Sequence, residues 1–277
     1  MLKQRIITAL VIAMLFSGIL LFFSVEVTSF IFMAVIVLCA WEWCTLSGLK
    51  SSVVYRLLYM GLVLFLCVIL IPYLHIFNGL NLGRTIAVFQ LSISVWVINI
   101  IFLFFYPHSR VIWGSIGFRL FWGVLVLVPL WLSLSLLLQT HVAIPLFVLF
   151  VLLVIFTDVG GYFVGRAFGR HALMPQVSPN KTWEGFFGGV LLSIPLMLIF
   201  LLYYPIAITT WKLLVLVLAT GVMAVVGDLT VSMIKRHENL KDTGHLLPGH
   251  GGLLDRFDGF SAAAPFFLLS LLLLGME

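Results

Sequence analysis

Residues 142–164 read VAIPLFVLFVLLVIFTDVGGYFV, an apolar run of membrane-crossing length with a single carboxylate, Asp158, toward its end. Runs of this kind recur along the chain and decide the fold class. Hydrophobic residues make up 63% of the sequence and charged residues only 9%, against about a quarter charged in soluble domains. A soluble core could not bury that much apolar surface. In lipid every backbone polar group needs an internal partner, which leaves helices or a closed barrel. The runs are continuous rather than short and alternating, which argues against a barrel. The sequence therefore predicts an all-α fold, a polytopic bundle of membrane-spanning helices.

Outward from that stretch, apolar runs and the breaks between them suggest nine spans, at about 6–24, 28–47, 54–76, 85–106, 117–138, 142–164, 184–204, 212–234 and 258–275. With the N-terminus on the cytoplasmic side, only Arg84 and Lys212 of the 15 Lys and Arg residues fall outside, the bias expected of a correct topology. The net charge of +5 then reflects topology. It implies contact with anionic lipid headgroups and gives no reason to expect a nucleic-acid partner. Lys3 and Arg5 precede the first run as in a signal peptide, but the run is too long for a secretory core and no small-residue cleavage site follows, so it reads as a retained helix. Cys39, Cys44 and Cys67 lack paired spacing and read as packing residues.

The two halves differ in kind. Residues 1–140 read as scaffold helices, and between Tyr59 and Tyr106 Arg84 alone carries a Lys, Arg, Asp or Glu charge. Residues 141–277 hold two long cytoplasmic loops, about 165–183 and 235–257, beside spans with carboxylates near their inner ends, and read as the catalytic region.

Three segments there carry the chemistry. In TDVGGYFVGRAFGRH, 157–171, Asp158 needs a partner, a cation or a wet cavity, while Gly161, Gly165 and Gly169 recur at the spacing that lets helices pack closely. In VSPNKTWEGFFGG, 177–189, a Ser-Pro turn leads into a helix. Ser178, Lys181, Thr182 and Glu184 there either favour a bound phosphate or simply cap the helix. In 227–259, Asp228, Ser232, Lys235 and Arg236 share one helical face, a stripe offering a metal ligand and phosphate clamps. Gly249, His250, Gly251 and Gly252 form a flexible turn whose amides could line a phosphate oxygen, and Asp255 and Asp258 follow one helical turn apart. Carboxylates of this kind are the hard oxygen ligands that Mg²⁺ prefers. A bare positive-inside loop would explain the cations but not acids inside spans. Of the histidines, His75, His108 and His141 read as interfacial and His171 and His237 as solvated. His245 and His250 adjoin the acids without the spacing of a transition-metal site, and His250 reads as a hydrogen-bond donor.

The stretch SMIKRHENLKDTGHLLPGHGGLLDRFD, 232–258, resembles the signature of phosphatidate cytidylyltransferases, also called CDP-diacylglycerol synthases. SPNKTWEGFFGG and the Asp158 helix are similar to family segments in the same order, with Gly161 and Asn180 as departures. The resemblance implies transfer of CMP from CTP to phosphatidate, yielding CDP-diacylglycerol and pyrophosphate. It also implies a homodimer in a bacterial cytoplasmic membrane with the site facing the cytoplasm. On this reading Asp228 and Asp255 hold Mg²⁺, and Asp258 or Asp158 assists or orients a second, monovalent cation. Lys181, Lys235, Arg236, Lys241 and Arg256 contact the triphosphate and lipid phosphate. Asp242 and His250 complete the catalytic group, and Ser178, Thr182, Glu184, Ser232, Gly249, Gly251 and Gly252 the substrate-binding one. Two alternatives stay open: a CTP-dependent lipid kinase of the polyprenol type, and an ion or proton transporter working through Asp158 and Asp228.

Overall fold

The computed structural model describes residues 14–49, 52–140, 142–204, 209–244, 246 and 251–274. The chain is an all-α polytopic membrane protein. Residues 14–22 are helical, and the labelled elements that follow are α1 (Val25–Leu46), α2 (Val53–Leu74), α3 (Leu82–Phe104), a short α4 (Arg110–Trp113), α5 (Ile116–Leu137), α6 (Ala143–Phe168), β1 (Ala172–Met174), β2 (Ser178–Thr182), α7 (Trp183–Leu191), α8 (Ser193–Tyr203), α9 (Thr210–His237) and α10 (Leu254–Leu273). Among the described residues eight segments are long and apolar enough to cross a membrane, with α7 and α8 together making one of them. They coincide with eight of the nine expected spans to within a few residues. Of the expected span 6–24, residues 6–13 lie outside the described ones and residues 14–22 are helical.

Hydroxyl and amide side chains start many of these helices. Ser24, Ser52, Asn81, Ser115 and Thr182 each accept a hydrogen bond from a free backbone N–H in the first turn of α1, α2, α3, α5 and α7. The centre of the bundle is α5, against which α1 and α10 pack. Indole and phenol groups tie it to its neighbours: Trp43 Nε1 donates to the Arg119 carbonyl at 2.8 Å, and Tyr59 Oη to the Leu120 carbonyl at 2.9 Å. Gly123 makes room for both rings, since a Cβ there would strike them. Arg119, buried at the end of α5, pairs with Glu238 at 2.6 Å just beyond α9. Cys39, Cys44 and Cys67 are buried thiols, as packing residues should be.

Three local features differ from the sequence reading. The Ser-Pro stretch expected as a turn is strand β2, antiparallel to β1 in the register Ala172↔Thr182 and Met174↔Ser178. Pro179 is tolerated because a two-stranded hairpin consists only of edges. The span expected at 184–204 is broken at Leu192, because Pro195 in the first turn of α8 cannot donate to the carbonyl of Leu191 and its ring crowds that group. His237, read as solvated, ends α9 half-buried with its ring 5.1 Å from that of Trp113.

The glycines of α6 are packing residues. Gly161 and Gly165 face Gly185 and Gly189 of α7 so closely that a Cβ on Gly189 would strike the Thr157 carbonyl and come within 2.9 Å of the Gly161 nitrogen. This contact fixes where α6 presents Asp158. Gly189→Val is expected to destabilise the protein by about 1–3 kcal/mol through overpacking, measured as a lowered thermal midpoint in detergent.

Candidate active site

Four elements bring charged groups to one end of the bundle. From β2, Lys181 forms an ion pair with Asp228 of α9. One turn further along α9, Ser232 Oγ donates to Asp228 Oδ1 at 3.2 Å. Lys235, two turns from Asp228 on the same stripe, reaches across to Asp255 of α10 at 2.8 Å and also lies in the field of Asp228. Asp228 and Asp255 thus belong to one network, bridged by Lys235. Asp258 joins it from α10, in the field of Asp228, Asp158 and Lys235. The two helices meet closely here, since a Cβ on Gly227 would strike the Asp258 carbonyl.

Beside this network lies a cavity of about 250 Å³, lined among others by Asp158, Ser178, Lys181, Thr182 and Gly185. Asp158 therefore lines a cavity and lies in the field of a cation, Lys181, two of the supports that a carboxylate in a span can use. Burial alone would push Lys181 down. The charges of Asp228 and Asp158, a hydrogen bond to Asp228 and the charge of Asp258 outweigh burial and hold the Lys181 pKa above its ordinary value, so the ammonium stays charged throughout the neutral range.

The chain matches the model of the Cytidylyltransferase family over residues 3–274. It belongs to that family. A phosphatidate cytidylyltransferase of Pseudomonas aeruginosa is 39% identical over 272 residues, covering 96% of each chain. One from Haemophilus influenzae is 34% identical over 285 residues, 96% of this chain and 97% of its own. One from Bacillus subtilis is 49% identical over 117 residues, 42% of this chain and 44% of its own.

In this cytidylyltransferase the remaining expected site residues are distributed as follows. Thr182 Oγ1 caps α7 by accepting from Gly185 N at 3.1 Å. Glu184 accepts from the Arg170 and His171 amides at 3.1 and 3.3 Å and contacts His171 Nδ1 at 2.7 Å, which ties the hairpin to α7. Arg236 Nε donates to the Val177 carbonyl at 3.1 Å, anchoring the hairpin turn to α9. Lys241, Asp242 and Arg256 are exposed at the same end. Gly251 adopts a left-handed φ of +81°, and Gly252 N donates to Asp255 Oδ2 at 3.0 Å. Gly249, His250 and His245 lie outside the described residues, as does His141.

Among the described residues no three Asp, Glu, His or Cys side chains gather into a cage able to hold a metal by themselves. The carboxylates present still fit a hard cation of the Mg²⁺ kind, which is held by one or two carboxylates and completes its shell with water and substrate phosphate oxygens.

One residue of the site escaped the sequence reading. Glu42 of α1, 1% exposed, accepts from Leu253 N at 3.0 Å, Leu254 N at 2.8 Å and Thr243 Oγ1 at 3.1 Å. The available signal was its position as an acid inside a span, in WEWC at 41–44. Gly244 and Gly252 close around its carboxylate: a Cβ on Gly252 would strike Thr243 Oγ1 and lie 2.6 Å from Glu42 Oε2. Gly252→Ala is expected to destabilise the protein by about 1–3 kcal/mol and to lower cytidylyl transfer at least tenfold. Gly83→Ala, where a Cβ meets only Asn81 at 3.8 Å, should change neither. Thermal unfolding and initial rates of the two variants side by side check both outcomes.

Proposed function

We propose that this cytidylyltransferase moves CMP from CTP onto phosphatidate, forming CDP-diacylglycerol and releasing pyrophosphate, at a site on the cytoplasmic side of a bacterial cytoplasmic membrane. The observation that carries the reading is the convergence of Asp158, Asp228, Asp255 and Asp258 with Lys181 and Lys235 at one end of a membrane bundle. Relatives bearing that enzyme name and matching nearly the whole chain support it. The positive-inside bias supports the cytoplasmic placement, where CTP is found.

Phosphatidate already presents an anionic oxygen at neutral pH, so the reaction needs positioning and charge neutralisation more than an activated side-chain nucleophile. The phosphatidate oxygen attacks the α-phosphorus of CTP, a new P–O bond forms, and the bond to the β-phosphate oxygen breaks as pyrophosphate leaves. Lys181 and Lys235, each already paired with a carboxylate, hold positive charge beside the place where negative charge accumulates. Lys241, Arg256 and Arg236 extend that field along the mouth of the site, and Ser178 and Ser232 offer hydroxyl donors. Asp228 and Asp255 are the residues that would hold Mg²⁺, with Asp258 or Asp158 assisting or orienting a second, monovalent cation. When bound, Mg²⁺ neutralises triphosphate charge and aligns the two phosphates. The family resemblance supports a homodimer.

Asp228→Asn and Asp255→Asn should each lower turnover by at least about 100-fold while insertion and elution profile stay as in the wild type. The assay supplies phosphatidate, Mg²⁺ and CTP labelled at either the α- or the γ-phosphorus. Label from the α position in lipid, with γ label in pyrophosphate, is the expected result. Label from the γ position in lipid would make the protein a lipid kinase, and ion flux in liposomes without CTP a transporter. Full activity in both Asn variants would remove these aspartates from the site.

A further inference from the structure

Helix α10 carries Asp255 and Asp258, yet its own N-cap residue, Leu253, makes no side-chain cap. Two of the amides at this end, those of Leu253 and Leu254, are met by Glu42, which comes from α1 and is more than two hundred residues away in sequence. A carboxylate at a helix N-terminus is favoured by the dipole as well as by the hydrogen bonds. The same Glu42 Oε2 faces Thr243 Oγ1, and that hydroxyl lies 3.0 Å from Asp255 Oδ2 on its other side. Asp255 Oδ2 also takes Thr243 N at 2.8 Å and Gly252 N at 3.0 Å, while Oδ1 takes Lys235. Every donor on Oδ2 therefore comes from loop residues that pack directly on the Glu42 carboxylate.

We propose that Glu42 is a positioning residue for cytidylyl transfer: it fixes the start of α10 and, through Thr243 and Gly252, sets the orientation of Asp255. The inference rests on the reading of the reaction given above. It assigns the N-terminal half a part in the chemistry, performed at one remove from the substrates. A glutamine at 42 keeps the volume but replaces one acceptor oxygen with a donor, which would face a backbone N–H in either orientation, since Oε1 accepts from Leu253 N and Oε2 from Leu254 N. The loop would then shift, and with it Asp255. Misplacement of a catalytic group by about 1 Å can cost about 100-fold in rate.

A double-mutant cycle separates positioning from general support of the fold. Wild type, Glu42→Gln, Asp255→Asn and the double variant are assayed for CDP-diacylglycerol formation, each checked for a monodisperse elution profile. Glu42→Gln is expected to lower kcat about 10- to 100-fold, and the double variant to fall within about threefold of Asp255→Asn alone, because the function of Glu42 is exercised through Asp255. A double variant whose loss equals the product of the two single losses would overturn the proposal. Where Glu42→Gln does not accumulate as folded protein, Thr243→Val takes its place in the same cycle with the same two outcomes. An Asp255→Asn variant as fast as wild type would also overturn it, while leaving the reaction itself standing. A wild-type protein that forms no CDP-diacylglycerol would instead sink the reading of the reaction.

Discussion

A carboxylate at the edge of a bilayer needs a cation, hydrogen-bond donors or a wet cavity, and this constraint organises the charged end of the molecule. Asp228 is met by Lys181, Asp255 by Lys235 and Glu238 by Arg119. Each pair joins two different elements: the β hairpin to α9, α9 to α10, and the loop after α9 to α5. Charge neutralisation and tertiary assembly are thus the same interactions. Removing one partner of such a pair leaves a lone charge in a poorly hydrated place, which costs more than the pair itself contributes.

Close backbone approach makes the arrangement possible. Glycines at 161, 165, 185 and 189 bring α6 against α7, and Gly227 brings α9 against α10. Helices held this near each other bring Asp158, Asp228 and Asp258 within the field of Lys181, which lines the cavity together with Asp158. Dispersion and small residues, rather than a hydrophobic drive, hold helices together in lipid. The separation of the carboxylates is therefore set by side chains that carry no charge.

Most of the architecture could be read from the chain because lipid imposes a simple length rule, and eight apolar runs became eight spans. The stripe from Asp228 through Ser232 to Lys235 was readable for a similar reason, since helical periodicity alone places it on one face. The hairpin at 172–182 was not, because two strands so short carry little alternation and Pro179 reads as a turn. The break at Leu192 was hidden inside an apolar run, although Pro195 was visible. Glu42 was missed for a different reason. Its partners, Thr243, Leu253 and Leu254, lie far away in sequence, and no local pattern joins an acid in the first labelled helix to a loop before the last. Its location within a span was the one readable clue.

The claim that mutual neutralisation holds the site together is tested most directly by thermal unfolding of Lys181→Met, Asp228→Asn and the variant carrying both. Each single substitution is expected to lower the midpoint, Lys181→Met most because it strands a carboxylate. The double variant should recover much of that loss, since no unpaired charge remains. Losses in the two single variants that simply add in the double would show that the pair is not what secures α9 to the hairpin, and would contradict the account.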